Sequence, residues 1–420
     1  MRRLLFIFSF LSLLVVDGKA QEVETLTLED CLRIGIDNNL SLEGKRKEIQ
    51  KSKYGVSENR SKLLPQITVI AGYNNNFDPP VSVTDGSSYG VPYNITKTLQ
   101  HTANAGLEMQ MPLFNQTLYT SMSIAKVMEE ISRLSYGKAR EDIIMQISKM
   151  YYLGQVTAEQ IVLIKANITR LEELRDITQA FFDNGMSMEV DLKRVNINLE
   201  NLKVQYDNAQ AMMKQQLNML KYIMDYPAEK EFVLTPVNTD SITTVALTGL
   251  SENIYELQLS QSQVQLAEKQ KKIISNGYIP SLSLTGSWRY AAYTDKGYHW
   301  FHSGPSNHWF RSYGLGLTLR IPIFDGLDKT YKIKKAMIDI ENSKLAWENA
   351  RKSLQTQYLN AVNDLMNNQR NFKKQKDNYL LAEDVYTVTS DRYREGIASM
   401  TEVLQDEMQM SEAQNNYISA

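Results

Sequence analysis

A single cysteine, Cys31, stands in the 420 residues. It excludes a disulfide framework and any thiolate metal cluster within one chain. An excess of either charge is missing too, with 46 Lys and Arg against 48 Asp and Glu. A nucleic-acid-binding chain would carry a basic excess or stripe, so no nucleic acid is expected as a partner. After residue 20 no run of 18 apolar residues occurs, so the rest of the chain cannot cross a bilayer as helices. There is no P-loop, GxSxG, HExxH or Rossmann glycine run, so neither an enzyme site nor a cofactor is expected.

What is present begins with a sorting signal. Arg2 and Arg3 precede an apolar run from Leu4 to Val16, and Gly18 and Ala20 supply small residues before a cut at Gln21. Residues 1–20 therefore read as a signal peptide. An exported chain without membrane helices is either soluble outside the cytoplasm or crosses a membrane as a barrel.

The chain also repeats itself. "LLPQITVIAGY" at 63–73 matches "YIPSLSLTGSW" at 278–288, with Pro65 over Pro280. "AGLEMQMPLF" at 105–114 matches "LGLTLRIPIF" at 315–324, with Pro112 over Pro322. "FFDNGMSMEVDL" at 181–192 matches "RYREGIASMTEV" at 392–403, with Gly185 over Gly396. The offsets stay near 210 to 215 residues, which marks one duplicated unit too long for a solenoid repeat. The expected division is 21–225 for the first unit, 226–250 between the units and 251–420 for the second. The last helix of the second unit reads as cut short of its counterpart.

Each unit runs in the same order. A helix (about 28–62 and 251–276) ends at a proline, and a strand follows. A polar loop comes next, roughly 74–101 and 291–311, then a second strand. A very long helix (about 117–181 and 328–393), a Gly turn and a returning helix complete the unit. The long stretches contain no proline and would each span roughly 100 Å at 1.5 Å per residue. Such helices must bury their apolar stripes side by side.

The strands alternate. Ile67, Val69, Ala71 and Tyr73 match Leu282, Leu284, Gly286 and Trp288, while Ala105, Leu107, Met109 and Met111 match Leu315, Leu317, Leu319 and Ile321. Polar residues interleave, including Glu108, Gln110, Arg289 and Arg320, which would line a lumen. Apolar-out, polar-in strands of about ten residues suit a membrane barrel. Four strands cannot close one, and open edges in lipid are costly. Three chains would supply twelve strands. A soluble periplasmic coiled-coil interaction protein is the competing reading, since long helices alone would serve it. An enzyme with an unrecognised carboxylate site is a third.

At this point the chain resembles the TolC-like outer membrane factors. The resemblance rests on "LTLEDCLRIGIDNNLSL", "LPQI", "IPSL", "RIPIFDG" and above all "RYREGIASMTEVLQDE". It implies a mainly α fold with a small β part: a homotrimer with a twelve-strand outer-membrane β-barrel continued by a long periplasmic α-helical barrel. It also implies a mixed equatorial belt, which "EFVLTP" and "SITTVAL" in 226–250 would supply. The implied role is a passive exit duct of a tripartite efflux pump or type I secretion system. Its partners would be outer-membrane lipid, a periplasmic adaptor (membrane fusion) protein, and an inner-membrane transporter of RND, ABC or MFS type. Adaptor contact is expected at Phe182, Gly185, Met186, Tyr393, Gly396 and Ile397. Glu402, with Asp191 as its counterpart, is expected to form an acidic ring at the periplasmic entrance. The first unit departs from the family pattern at Leu192 and Lys193. His101, His299, His302 and His308 cluster at one end of the strands; aromatic-rich loops explain them better than a metal, because no carboxylate or cysteine joins them at ligand spacing.

Overall fold

The computed structural model describes residues 24–85, 90, 92–97, 99–237, 249, 251, 253–294 and 309–420. The expected signal peptide, the "SITTVAL" segment and His299, His302 and His308 lie outside the described residues.

The opening helix is two helices, α1 (Leu28–Asn38) and α2 (Leu40–Ser61), preceded by a short strand β1 (Glu24–Leu26). The break is at Asn39, whose backbone turns extended at ψ 119. Its side chain accepts a hydrogen bond from the Leu42 amide at 3.1 Å and donates to the Ile223 carbonyl at 2.8 Å. One amide thus caps α2 and ties it to a distant helix end, a role that short polar side chains fill well. Periodicity does not register such a break, because the apolar stripe runs through it.

Then come β2 (Gln66–Asn75), β3 (Val81–Asp85), β4 (Tyr93–Lys97) and β5 (His101–Phe114). The long helix α3 (Gln116–Asp183) and returning α4 (Glu189–Met224) close the first unit. After β6 (Phe232–Leu234), the second unit supplies α5 (Tyr255–Asn276), β7 (Ser281–Thr294), β8 (Trp309–Arg320), α6 (Asp328–Arg394) and α7 (Met400–Ser419). The long helices have 68 and 67 residues, about 100 Å each at 1.5 Å per residue. A short acidic or amide side chain starts each at matching places. Asn115 Oδ1 accepts from the Thr117 amide at 3.1 Å, and Asp325 Oδ2 accepts from the Lys329 amide at 3.2 Å.

The expected polar loop 74–101 holds the β3–β4 hairpin, which the sequence reading missed. Its strands alternate Val81, Val83, Ile95 and Tyr93 with Ser82, Thr84, Thr96 and Asn94. Six of its ten strand residues are polar, so composition hides a pattern that pairing reveals.

The fold gathers into two compact bodies that cut across the sequence units. One comprises the described residues within 43–139 and 248–361 and contains the four-stranded sheet. The other comprises those within 1–42, 140–247 and 362–420. In the second body β1 pairs in parallel with β6. Leu26, Cys31, Ile147, Tyr151, Leu220, Met224 and Phe232 form the core beneath that pair. Burial pushes the Cys31 thiol up to about 11, so it packs as a small apolar group. A second core joins α3, α4, α6 and α7 through Leu171, Leu174, Val195, Leu199, Tyr386, Tyr393 and Val403.

Candidate pore wall and hairpin turns

The sheet has the order β2-β5-β7-β8, antiparallel throughout, so the two units meet at β5–β7. Its register sorts every row onto one face or the other. Ile67, Met109, Gly286 and Leu315 share one row, and Val69, Leu107, Trp288 and Tyr313 the next. The alternate rows are polar: Thr68, Glu108, Ser287 and Gly314, then Gln66, Gln110, Thr285 and Gly316. The apolar face is bare. Leu315 is 79% exposed, Leu317 67%, Val69 73% and Ile67 67%. Among the described residues β2 and β8 are paired on one side only. A bare apolar face and two open edges are unstable in water, and in lipid the edges must close.

The structure brings Glu108, Gln110 and Arg289 together on the polar face. Arg289 forms an ion pair with Glu108 across β5 and β7. Both side chains stay more than two-fifths exposed, so the pair contributes at most about 1 kcal/mol. Arg320 lies on the same face at the β8 end, opposite Ser281, away from that pair.

In the other body the two hairpin turns are built alike. Gly185 and Gly396 sit at φ 74 and 75, the left-handed region that glycine takes without strain. The Gly185 amide donates to the Phe182 carbonyl at 2.9 Å and the Met186 amide to Phe181 at 2.8 Å. Gly396 donates to Tyr393 at 2.9 Å and Ile397 to Arg392 at 2.8 Å. This is the same Schellman stop twice. Beyond it the copies differ. Ser399 and Glu402 form a capping box: the Ser399 hydroxyl accepts from the Glu402 amide, and the Glu402 carboxylate accepts from the Ser399 amide at 2.8 Å. These hydrogen bonds hold the Glu402 carboxyl below its ordinary range. At the corresponding start of α4, Met188 makes no such cap.

The expected turn residues divide by exposure. Met186 is 69% exposed, Ile397 63% and Phe182 38%, and Met188 at 70% joins them although its sequence position drew no notice. Tyr393 is a correction: at 5% exposed it is a core residue, packed on Phe181 with ring centres 5.5 Å apart, its hydroxyl toward Thr178. Its match in the first unit, Phe182, stands outside because it falls one position off the buried seam. Asp191 is also largely buried and pairs with Arg194 at 3.2 Å. Glu402 is exposed.

A polar layer between the helices escaped the sequence reading. Asn167 donates to Gln414 at 2.5 Å, and Arg170 reaches Asn167 and, at 3.2 Å, Glu383. Glu407 is buried in the same core, at the seam spacing Met400, Val403, Glu407, Met410, Gln414. The three-four spacing was the available signal. Burial holds the Glu407 carboxyl above its ordinary 4.5, with the Arg170 charge opposing. A folded-state value above the unfolded one means the folded form binds the proton more tightly. The contribution of this group to stability is therefore fully present below about 4.5 and is lost as pH rises through the window above it. Glu407→Gln is expected to raise the thermal midpoint at pH 7 and leave it unchanged at pH 4. A midpoint that falls at pH 7 would show the ionised carboxylate to be stabilising.

Comparison with known proteins agrees with this architecture. Residues 34–224 and 238–420 match the family described as outer membrane efflux protein. The outer membrane protein TolC of Vibrio cholerae is 21% identical over 316 residues, 74% of this chain and 66% of that protein, just under two thirds of its length. The fold is similar to the Vibrio cholerae outer membrane protein VceC, with a TM-score of 0.72 at 14% identity over 93% of this chain and 92% of that one. It is similar also to the Neisseria gonorrhoeae MtrE outer membrane channel in its open state, with a TM-score of 0.72 at 18% identity, covering 93% and 85%. A chain matched on both units in this way belongs to the outer membrane efflux protein family. Its place is the outer membrane of a Gram-negative cell, extending into the periplasm. The family is one of channel and transport proteins, not of enzymes.

Proposed function

We propose that the protein is the passive outer-membrane exit duct of a tripartite efflux pump or type I secretion system. The observation that carries this is the four-stranded sheet with one bare apolar face, one polar face and two edges unpaired among the described residues. Three copies close those edges into twelve strands, with lipid against the apolar face. Glu108, Gln110, Arg289 and Arg320 then line the lumen. The division into 1–20, 21–225, 226–250 and 251–420 belongs to the same reading. A soluble coiled-coil protein has no use for such a sheet.

The duct would draw its energy from an inner-membrane transporter of RND, ABC or MFS type through a periplasmic adaptor. The adaptor surface is formed by the exposed turn residues Phe182, Met186 and Ile397, placed by Gly185 and Gly396, with Tyr393 bracing one turn from inside. Extraction of the outer-membrane fraction and native mass determination test the whole. A membrane-extracted trimer is expected; a soluble monomer or dimer would sink the duct.

Three Glu402 carboxylates form the entrance ring, with Asp191 as the counterpart position in the other unit. The capping box keeps Glu402 charged, and such rings favour cations. Glu402→Gln retains the cap, because a glutamine side chain serves at that position as well. It is expected to lower cation preference in planar bilayers without lowering the thermal midpoint. Unchanged selectivity would remove Glu402 from the entrance.

A further inference from the structure

The apolar face of the sheet changes character toward the end that bears the β3–β4 hairpin. The row Val69, Leu107, Trp288, Tyr313 is followed by Ala71, Ala105, Tyr290, Arg311, then by Tyr73, Ala103, Ala292, Trp309. The last row is polar: Asn75, His101 and Thr294. Among the described residues Arg311 is the one lysine or arginine on this face. It is exposed, and its guanidinium lies over the Tyr313 ring at 6.0 Å.

Position decides what such a cation meets. Ile321 follows β8 at the foot of the apolar band, ten positions after Arg311. At about 3.3 Å per residue and a tilt of about 40°, that places Arg311 about 25 Å up, the height of the apolar band itself. An arginine on the lipid face costs about 2–4 kcal/mol at the midplane and about 0–1 kcal/mol at the interface. Aromatic residues mark that interface, and Trp288, Tyr290, Tyr313 and Trp309 surround this one. A planar fork of donors at headgroup level suits a phosphate, which it can hold with two parallel hydrogen bonds.

We propose that Arg311, seated on Tyr313 among Trp288, Tyr290 and Trp309, binds the phosphate of an outer-leaflet lipid headgroup at the barrel rim. This rests on the reading of the sheet as a lipid-facing barrel wall. The ligand is a phosphorylated lipid, because the site opens sideways from the apolar face, where an acyl chain can lie along the exposed Leu315, Leu317 and Leu319.

The test uses the full-length protein extracted in detergent and titrated with diphosphorylated lipid A, its dephosphorylated form and inorganic phosphate, read by native mass spectrometry. Wild type is expected to hold the phosphorylated lipid about tenfold more tightly than Arg311→Gln, about the effect of one charge-assisted contact. Arg311→Lys is expected to fall between them, and the dephosphorylated form to bind both proteins alike. Equal retention by wild type and Arg311→Gln, as intact trimers, overturns the site and leaves the duct standing. Displacement by millimolar inorganic phosphate overturns the lipid as the source. Failure of the wild type to appear as a membrane trimer overturns the duct, and this inference with it.

Discussion

Leu317→Arg is expected to eliminate nearly all membrane-extracted trimer, while Thr318→Arg, one residue along, leaves it largely intact. Leu317 pairs with Leu284 on the bare apolar face, and Thr318 with Ser283 on the polar one. An arginine at the middle of a lipid-facing strand costs about 2–4 kcal/mol, and threefold assembly incurs it three times. Whole domains are stable by only about 5–15 kcal/mol, so the summed cost is decisive. The same arginine in a water-filled lumen keeps its hydration, and its expected effect is on ion preference. Yield of trimer from the outer-membrane fraction measures the first outcome, and bilayer conductance the second. Equal loss in both variants would show that the two faces have been assigned wrongly.

The strands could be read because period two is forced on them from both sides. One face needs lipid-compatible side chains and the other needs polar ones. Pro65, Pro280 and Pro322 flank the ends of β2, β7 and β8, whereas β5 runs through Pro112 to Phe114 with a shift in register between them; up to that point the observed rows follow the alternation. The long helices were legible for a different reason, since some 65 residues without proline leave few alternatives. What escaped was set by tertiary contacts. The break at Asn39 depends on the Ile223 carbonyl, which lies 184 positions away. Tyr393 looks like a surface aromatic beside a turn until Phe181 and Thr178 close over it.

Duplication explains why the candidate sites come in unequal pairs. The two Schellman turns share the two backbone hydrogen bonds that define them, since glycine and helix geometry dictate them. Their side chains have diverged. Ser399 and Glu402 cap one returning helix, while Met188 and Asp191 occupy the matching places in the other. In a threefold assembly the unequal copies alternate around a nearly sixfold ring. The two turns therefore present chemically different surfaces, one richer in methionine and one better capped.

Gly106→Val is expected to lower the thermal midpoint of the trimer sharply and to distort its conductance. Gly106 lies in β5 opposite Arg289, on the strand pair that joins the two units. A Cβ built there meets the Trp288 carbonyl oxygen, the Arg289 Cα at 2.8 Å and the Arg289 Cγ at 2.9 Å. Two of those atoms are backbone, so relief requires the strands to part, not a side chain to swing. Valine has the better strand propensity, and that scale spans about 1 kcal/mol in all. Overpacking of this kind costs about 1–3 kcal/mol per site, and it recurs in each of three chains. Sterics should therefore win over propensity. The same displacement would lift Arg289 off Glu108 and free a charge on the polar face. Gly314→Ala is the control, because a Cβ there meets nothing nearer than the Ser287 hydroxyl at 4.0 Å. If Gly106→Val melts with the wild type, the close approach of β5 and β7 is not what holds the two units together.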